Sequence, residues 1–379
     1  MFSSRLDWEA RPNRLAEALE KRRLAGLPVL DLTESNPGRA GIEFGAGEIL
    51  EALDDARSIS YEPDARGLLE AREAVARYQG ASPDDIVLTA STSEAYSMLF
   101  KLLCDPGGEI LAPRPSYPLF DYLARLESVE VRHYSLLFHE GWWVEPGEWE
   151  RRVTPRTRAI VVVNPNNPTG SYLRRGEVER LSRLCADRGI AIVSDEVFAD
   201  YRLDPSPEIA PTLAGVEDAL TFRLGGLSKS CGLPQMKLGW IVVGGPAATR
   251  AAAMRRLELI ADTYLSVSAP VQHAAARWLA RRTPFQERLL SRVRGNLEVL
   301  QKFTTPPRVE GGWYAIMRLP ATRSEEDWVV DLVDRHGVSI QPGYFYDFQT
   351  EPFAIVSLLP KPEIFVEGIR RIGNALDES

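Results

Sequence analysis

Residues 159–170 read AIVVVNPNNPTG, and this stretch decides the fold class of the 379-residue chain. Five consecutive apolar residues predict a strand that is buried on both faces, and the asparagines and prolines after it predict a turn. A helical pattern follows over residues 177–188 and stops at Gly189, and residues 190–194 (IAIVS) again read as a buried strand. Apolar strand, helix and apolar strand in this order are typical of a parallel sheet covered by helices.

The same alternation extends outward from this stretch in both directions. Toward the N-terminus, residues 86–89 and 109–112 read as strands, with a helix over residues 95–103 between them. Toward the C-terminus, residues 219–224 and 240–243 read as two further strands. We therefore expect an α/β fold whose large domain is a mainly parallel, three-layer α/β/α sheet, with ligands beyond the carboxyl ends of its strands.

The last hundred residues follow a different pattern. A long helical stretch over residues 274–303 precedes two strand-like runs at 313–319 and 354–359, which predicts a smaller α+β domain. The N-terminal segment is expected to pack on this smaller domain. The predicted division is a large domain over residues 46–275 and a small domain formed by residues 1–45 and 276–379.

Charge and composition argue against several classes of function. With 45 basic and 53 acidic residues the net charge is −8, which disfavours a nucleic acid or an anionic membrane as the partner. The three cysteines and four histidines show neither disulfide nor metal spacing, so no metal site is predicted. No run of about 18 apolar residues occurs, and no apolar leader follows Met1, so we expect a cytoplasmic protein without a membrane partner.

Lys229 is the first candidate for chemistry. It lies in residues 225–240, GGLSKSCGLPQMKLGW, between two strand-like runs, where small residues would hold it at the wall of a site. A desolvated lysine loses its proton more easily and becomes a nucleophile for carbonyl carbons. The alternative is an exposed loop lysine, which is the commoner role of this residue.

Polar residues also follow three other predicted strands. Asp195 comes directly after a strand, where a buried acid needs a partner such as a protonated ring nitrogen, unless it caps a helix. Residues 91–93 open a helix whose free N–H groups can bind an anion, and a capping pair of Ser91 with Glu94 is compatible with this role. The asparagines of 164–167 offer donors, or only form a turn. Anion cradle, acid, asparagine and lysine together meet the needs of pyridoxal phosphate.

Three motifs, in this order, resemble those of the fold-type I, class I/II aminotransferases, which have the aspartate-aminotransferase-like fold. They are Asn-Pro-x-Asn-Pro-Thr-Gly at 164–170, Asp-Glu-Val-aromatic at 195–198 and Ser-Lys-x-x-Gly-Leu-Pro at 228–234. The resemblance covers roughly residues 30 to 375, nearly the whole chain. It implies a transaminase with pyridoxal 5′-phosphate as cofactor, which passes an amino group between an amino acid and a 2-oxo acid by a ping-pong mechanism.

The resemblance also implies roles for the residues that hold the cofactor ring. Lys229 is the Schiff-base lysine and later carries a proton between the substrate and the cofactor. Asp195 pairs with the ring nitrogen and keeps it protonated, while Asn167 bonds the ring hydroxyl oxygen. Tyr117 stacks on the ring face, so that Lys229, Asp195 and Tyr117 form the implied catalytic set.

A second group of matching residues is implied to hold the phosphate. Thr92 and Ser93 supply donors, and Lys237 stands where the family usually has an arginine on the phosphate. Tyr61 reaches the phosphate of the neighbouring subunit's site, which implies a homodimer with its sites at the subunit interface. On the substrate side, Trp313 belongs to a matching segment, GGWY at 311–314.

Three cofactor contacts depart from the family pattern. Phe198 stands where a tyrosine usually bonds the ring oxygen, so we expect the linkage between lysine and cofactor to have a higher pKa than usual. Lys237 replaces a bidentate arginine with a point charge, which constrains the phosphate less. Gly226 stands where a serine often helps to hold the phosphate.

The fourth departure concerns the substrate. Ile355 holds the place of the arginine that binds the α-carboxylate in this family. Another cation would then be needed, and Arg39, in a loop with Asn36 that matches the family's substrate-side loop, is the candidate. Two alternatives stay open: Arg39 is a surface residue, or the substrate is not an ordinary α-amino acid.

Other functions fit the residues less well. A C–S lyase or a cyclase would use the same cofactor and most of the same side chains, and the missing arginine favours it. A sensor domain that binds pyridoxal phosphate would carry a helix-turn-helix segment, for which this acidic chain leaves no room. A nicotinamide dehydrogenase is disfavoured because Gly45-Ala46-Gly47 lacks the third glycine and a preceding strand.

Overall fold

The computed structural model describes residues 1–8, 12–139, 141–350 and 352–378. In chain order, its strands are β1 (Leu30–Asp31), β2 (Ile86–Thr89), β3 (Glu109–Arg114), β4 (Glu130–Phe138), β5 (Trp142–Val144), β6 (Thr157–Val163), β7 (Ala191–Asp195), β8 (Thr221–Gly226), β9 (Gly239–Gly244), β10 (Tyr314–Arg318), β11 (Val338–Ser339), β12 (Gln341–Pro342) and β13 (Phe353–Ser357).

The α-helices alternate with these strands through the first two thirds of the chain. They are α1 (Arg14–Leu24), α2 (Ala46–Leu53), α3 (Leu69–Gln79), α4 (Thr92–Leu103), α5 (Phe120–Leu126), α6 (Glu148–Arg152), α7 (Arg175–Arg188), α8 (Leu227–Ser230), α9 (Ala247–Asp262), α10 (Ala269–Ala280), α11 (Thr283–Phe303), α12 (Glu325–Asp331) and α13 (Pro362–Asp377).

Eight of the strands form one central sheet in the order β2-β9-β8-β7-β6-β3-β4-β5. Its middle strands, β8 to β4, pair in parallel, as the apolar runs predict. β9 runs antiparallel to both β8 and β2, so the chain turns back between β8 and β9 at the carboxyl edge of the sheet. β2 therefore points the same way as β8, and the carboxyl ends of β2, β6, β7 and β8 share one edge.

Alternate residues of the central strands pack against helices on opposite faces. Val161 and Val193 join one core with α4 and α9, while Ile160 and Ile192 join another core with α7. This is the arrangement that a strand buried on both faces requires. It gives three layers, in agreement with the expected α/β/α architecture.

Two smaller sheets lie outside the central one. β10, β13 and β12 form an antiparallel sheet with β13 in the middle, and β1 pairs in parallel with β11. Leu30 lies opposite Val338, so the N-terminal segment is joined to the C-terminal third of the chain by backbone hydrogen bonds. The boundaries placed at residues 46 and 275 stay a prediction.

The expected long helix over residues 274–303 is wrong in one respect. Two helices, α10 and α11, occupy this region, and they are separated at Arg281 and Arg282. Pro284 lies in the first turn of α11, where its missing N–H costs nothing, and it could not continue a preceding helix. Among the described helices, none combines the length and the apolar character that a membrane span requires.

Candidate active site

The sheet topology brings the predicted chemical residues to one edge. Asn167 follows β6, Asp195 ends β7, Lys229 lies in the turn from β8 to β9, and Thr92 opens the helix after β2. Since these strands share a carboxyl edge, residues separated by more than a hundred positions in sequence lie along the same edge of the sheet.

Lys229 lies in α8, a single helical turn that the surrounding chain holds firmly. The Tyr201 hydroxyl donates to the Lys229 carbonyl at 2.5 Å, and the Ser230 hydroxyl donates to the Gly226 carbonyl at 3.0 Å. The lysine amine itself faces aromatic rings, 4.7 Å from the ring centroid of Trp313 and 5.4 Å from that of Phe198. The backbone is therefore fixed while the amine stays available.

The electrostatics of this position favour a reactive amine. Burial lowers the pKa of Lys229 to about 8, and Asp195 opposes this shift by attraction. No carboxylate in the described part of the chain forms an ion pair with the amine. A lysine with this pKa has a substantial neutral fraction near pH 8, as a nucleophile needs.

Asp195 is buried at the end of β7 and is held by two donors. The Tyr96 hydroxyl donates to one carboxylate oxygen at 2.9 Å, and the Val197 N–H donates to the other at 3.2 Å. Burial raises the pKa of Asp195 to about 6, while these hydrogen bonds oppose the rise. A cation placed next to this carboxylate would lower its pKa and stabilise the charge, which is what a protonated ring nitrogen does.

The asparagines after β6 separate into two kinds. Asn164 donates to the Ala210 carbonyl at 2.7 Å, and Asn166 accepts from Thr169 at 3.0 Å, so both hold the turn together. Asn167 is different, because its Oδ1 is buried and finds no hydrogen-bond partner among the described residues. A buried amide end without a partner is rare in folded proteins, and a ligand's hydroxyl group would satisfy it. This orphaned group fits the predicted cofactor.

The start of α4 fits an anion. Ser91 caps the helix, since its hydroxyl accepts from the Glu94 N–H at 3.2 Å. Glu94 in turn accepts from the Ala90 N–H at 2.6 Å, one residue earlier than a standard capping pair. The N–H groups of Thr92 and Ser93 in the first turn have no intrahelical partner, and they lie at the positive end of the helix.

Glycine at position 239 allows this cradle to form. A side-chain carbon there would lie 3.0 Å from the Ser91 carbonyl carbon and 3.0 Å from the Thr89 hydroxyl. The first residue of β9 can therefore approach the helix start only because it has no side chain.

Lys237 has an unusual backbone. Its φ of 50° and ψ of 57° lie in the left-handed region, which costs a residue other than glycine about 1 kcal/mol or more. Its side chain is exposed and forms no ion pair with a described residue. Lys237 lies two residues before Gly239, whose backbone borders the start of α4, and its contact with a phosphate stays a prediction.

The two predicted tyrosines lie in different surroundings. Tyr117 is half-buried with its ring edge-on to Phe120, 6.0 Å between centroids, and burial raises its pKa to about 12. Tyr61 is 79% exposed and lines an open cavity with Ser266 and Gln272. Its role at a neighbouring subunit's site stays a prediction.

The residues predicted for the substrate side lie on or beside the three-stranded sheet. Trp313 is fully buried just before β10 and contacts Phe198 edge-on at 4.8 Å. Ile355 is also fully buried, in the middle strand β13, opposite Ile316 and Gln341. No arginine thus occupies the centre of this wall.

The predicted substrate loop is closed by its own contacts. Arg39 is exposed and pairs with Glu34 at 2.8 Å, and Asn36 accepts from the Gly38 N–H at 3.0 Å. Both roles in substrate binding stay predictions, and the pairing of Arg39 leaves it no unbalanced charge.

Sequence reasoning missed two polar residues, Tyr96 and Gln341. Tyr96 was read only as part of a helix, although its position one turn after Thr92 places it over the sheet. Gln341 begins β12, a strand of only two residues, which is too short to show a periodicity. A polar residue in the otherwise apolar run before Pro342 was the one available signal for Gln341.

Comparisons with known proteins agree with this geometry. The family described as aminotransferase class I and II matches residues 29–355. The glutamate-pyruvate aminotransferase AlaA of Haemophilus influenzae is 24% identical over 371 residues, which cover 93% of this chain and 92% of that protein. The alanine aminotransferase of Mycobacterium bovis is 27% identical over 374 residues, covering 93% and 86%.

Solved structures share the whole fold. An alanine aminotransferase from Pyrococcus furiosus superposes with a TM-score of 0.90 at 23% identity and covers 100% of both chains. An aspartate aminotransferase from Thermotoga maritima gives 0.85 at 23% identity, covering 99% of this chain and 100% of that one. The expected aspartate-aminotransferase-like fold is confirmed.

The alternative of a C–S lyase or cyclase is not favoured, since the named relatives are aminotransferases. The match extends over most of the chain, and the buried lysine, acid and asparagine fit the family's cofactor. The chain belongs to the class I and II aminotransferases and is a transaminase that uses pyridoxal 5′-phosphate.

Proposed function

We propose that Lys229 carries the transamination chemistry. One observation supports this most strongly: its amine is half-buried at the carboxyl edge of the sheet, has a pKa lowered to about 8 and has no carboxylate partner among the described residues. The amine is therefore placed and poised to attack a carbonyl carbon.

The surrounding residues would hold the cofactor as follows. Asp195 would pair with the ring nitrogen, Asn167 would bond the ring hydroxyl, and Tyr117 would cover one face. Thr92 and Ser93 would bind the phosphate through the free N–H groups of α4, and Lys237 would add a positive charge. When bound, the cofactor withdraws electrons from the reacting carbon of the substrate and so makes its proton easier to remove.

Lys229 then acts as a proton carrier. Its neutral Nζ takes the proton from the α carbon of the substrate and returns it on the cofactor side. This transfer in both directions needs a lysine pKa near the working pH. The aromatic surroundings, Trp313 and Phe198, exclude water from this transfer.

The overall reaction follows a ping-pong course. An amino acid gives up its amino group and leaves as a 2-oxo acid, and a second 2-oxo acid then takes the amino group. Relatives named alanine aminotransferase and glutamate-pyruvate aminotransferase make alanine, glutamate and their 2-oxo acids the first compounds to test. Asn36 and Trp313 are the proposed substrate-side residues, whereas Arg39, which is paired with Glu34, stays a candidate from the sequence alone.

A homodimer is part of the proposal. Tyr61 is exposed together with Ile59, and Leu265 lines the same cavity as Tyr61. Exposed apolar side chains around one cavity are typical of an interface, and a partner subunit would receive the Tyr61 ring near its phosphate. The mass of the purified protein in sedimentation measures this directly; a monomer that is fully active would contradict it. A cytoplasmic location also stays a prediction.

An absorption experiment tests the reaction. The purified protein is loaded with pyridoxal 5′-phosphate and mixed with single amino acids. Loss of the absorption band of the lysine-bound cofactor, followed by its return when a 2-oxo acid is added, is the expected result. A band that no amino compound changes would contradict transamination at this site.

A further inference from the structure

The wall around Ile355 has a defined composition. Ile355 lies opposite Ile316 on one side and Gln341 on the other, so these three side chains share one face of the small sheet. Tyr314, two residues before Ile316, belongs to the same face and lies 6.3 Å from Phe198, which in turn contacts the Lys229 amine. Tyr314 therefore connects this face to the reacting amine through the Phe198 ring.

Gln341 is the polar member of this face, and its orientation is fixed. Its Oε1 accepts from the Tyr346 hydroxyl at 2.5 Å. Tyr346 is buried, and its carbonyl accepts from the Ser116 N–H at 3.0 Å, next to Tyr117. Since Oε1 is occupied, Nε2 is the free end of the half-buried amide, and it makes no hydrogen bond to a described residue.

Cations near this face are engaged elsewhere. Arg39 is paired with Glu34, and Arg292 donates to the carbonyl oxygens of Leu359 and Ala40. Arg318 lies on the same face, two residues after Ile316 at the end of β10, and is exposed. Its guanidinium lies 5.4 Å from the ring centroid of Phe138. The side-chain donor that pairs directly with Ile355 across the sheet is thus the neutral amide of Gln341.

We propose that Gln341, held by Tyr346, is the specificity-determining residue for the substituent on the reacting carbon. The site consequently takes α-amino compounds with an uncharged carbonyl substituent, such as amino-acid amides, as readily as the parent amino acids. This inference rests on the proposed function. A neutral amide N–H discriminates between a carboxylate and a carboxamide oxygen much less than a guanidinium, which carries a full charge and can bind both carboxylate oxygens.

The experiment compares L-alanine with L-alaninamide in the half-reaction of the holoenzyme. The rate at which the cofactor band disappears is divided by the concentration of unprotonated amine to give a rate constant for each compound. This division corrects for the different basicity of the two amines. In the native protein the two constants are expected to agree within about tenfold. Gln341→Leu is expected to lower both by about tenfold with an unchanged cofactor band, while Gln349→Leu, the same change at an exposed position, leaves them unaltered.

Two further variants are expected to change the ratio of the L-alanine to the L-alaninamide rate constant in opposite directions. Ile355→Arg is expected to favour the acid over the amide by about 100-fold relative to the native protein. Gln341→Glu, which is nearly isosteric and keeps the bond from Tyr346, is expected to repel the carboxylate and shift the ratio toward the amide by about tenfold. It decides the question by itself if Ile355→Arg does not fold.

The contrary results are distinct. A native preference for the acid above about 100-fold, or Gln341 variants that leave the ratio and both constants unchanged, overturns the inference while transamination stands. Failure of both compounds and of all amino acids to change the band overturns the proposed function, and the inference with it.

Discussion

The cofactor half and the substrate half of the site are built on different sheets. Lys229, Asp195 and Asn167 follow strands of the eight-stranded sheet and match the family motifs, whereas Ile355 and Gln341 lie in the three-stranded sheet and depart from them. A cofactor has one fixed shape and needs charges at fixed points. A substrate group can be held by several donor arrangements, so its wall tolerates change.

The largest expected effect tests the cofactor half. Lys229→Ala should reduce the half-reaction by about 10⁴-fold or more, because both the nucleophile and the proton carrier are lost. Stopped-flow absorbance with alanine measures the rate, and Lys302→Ala, an exposed lysine, serves as the control. A variant that keeps more than a hundredth of the native rate would mean that this half does not depend on Lys229.

Removing the charge of Asp195 should have the next largest effect. Asp195→Asn keeps the size of the side chain but cannot hold a proton on the ring nitrogen, so we expect about a 100-fold slower half-reaction. The exposed Asp187→Asn is the matched control. Near-native rates in Asp195→Asn would mean that another residue keeps the ring nitrogen of the cofactor protonated.

The pH dependence of cofactor capture sharpens the comparison. Lys229 has a pKa lowered to about 8, so its neutral fraction rises about tenfold from pH 7 to pH 9 and changes little above that. The rate at which the cofactor-free protein takes up pyridoxal 5′-phosphate should follow the same curve. A rate that still climbs steeply at pH 10 would indicate an ordinary, solvated lysine.

Phe198 marks where the cofactor half itself departs from the family. Phe198→Tyr would supply a hydroxyl in the buried position beside Trp313, and we expect the pKa of the lysine–cofactor linkage to fall by about one unit or less. A spectral pH titration of both proteins gives the two values. An equal or higher pKa in the variant would show that the family's tyrosine contact is not available here.

The smallest effect is expected in the N-terminal loop. Arg39→Ala removes an exposed guanidinium that is already paired with Glu34, so the amino-donor constants should change by less than about threefold. Donor titrations of the cofactor band provide the measurement. A loss of tenfold or more would assign the substrate carboxylate to Arg39 and move the specificity away from Gln341.

The same contrast explains what the sequence could predict. Lys229, Asp195 and Asn167 lie directly after apolar runs, and the rule that parallel strands end at one edge brings them together without knowledge of side-chain contacts. The fold class followed from the same runs, because a strand buried on both faces leaves a continuous apolar signature.

The remainder depends on contacts that no local pattern records. Gln341 meets Ile355 only through the pairing of β12 with β13, and Tyr346 reaches it from an irregular turn. The break between α10 and α11 is an exception, because Pro284 in the first turn of α11 is a local signal that a single helix over residues 274–303 overlooks. The family motif implies a role for Asn167, but coordinates are needed to show that its amide oxygen is orphaned while the side chains of Asn164 and Asn166 are hydrogen-bonded.

The position of β2 at the edge of the central sheet bears on the order of folding. Its partner in the described sheet is β9, so Ile86 meets Val242 across about 150 residues of chain. Such distant pairing is slow, and during synthesis it must wait until β9 has left the ribosome. The helix start that would hold the phosphate is therefore completed late. Cofactor binding would then stabilise the folded protein by mass action, and it would not guide the early steps of folding.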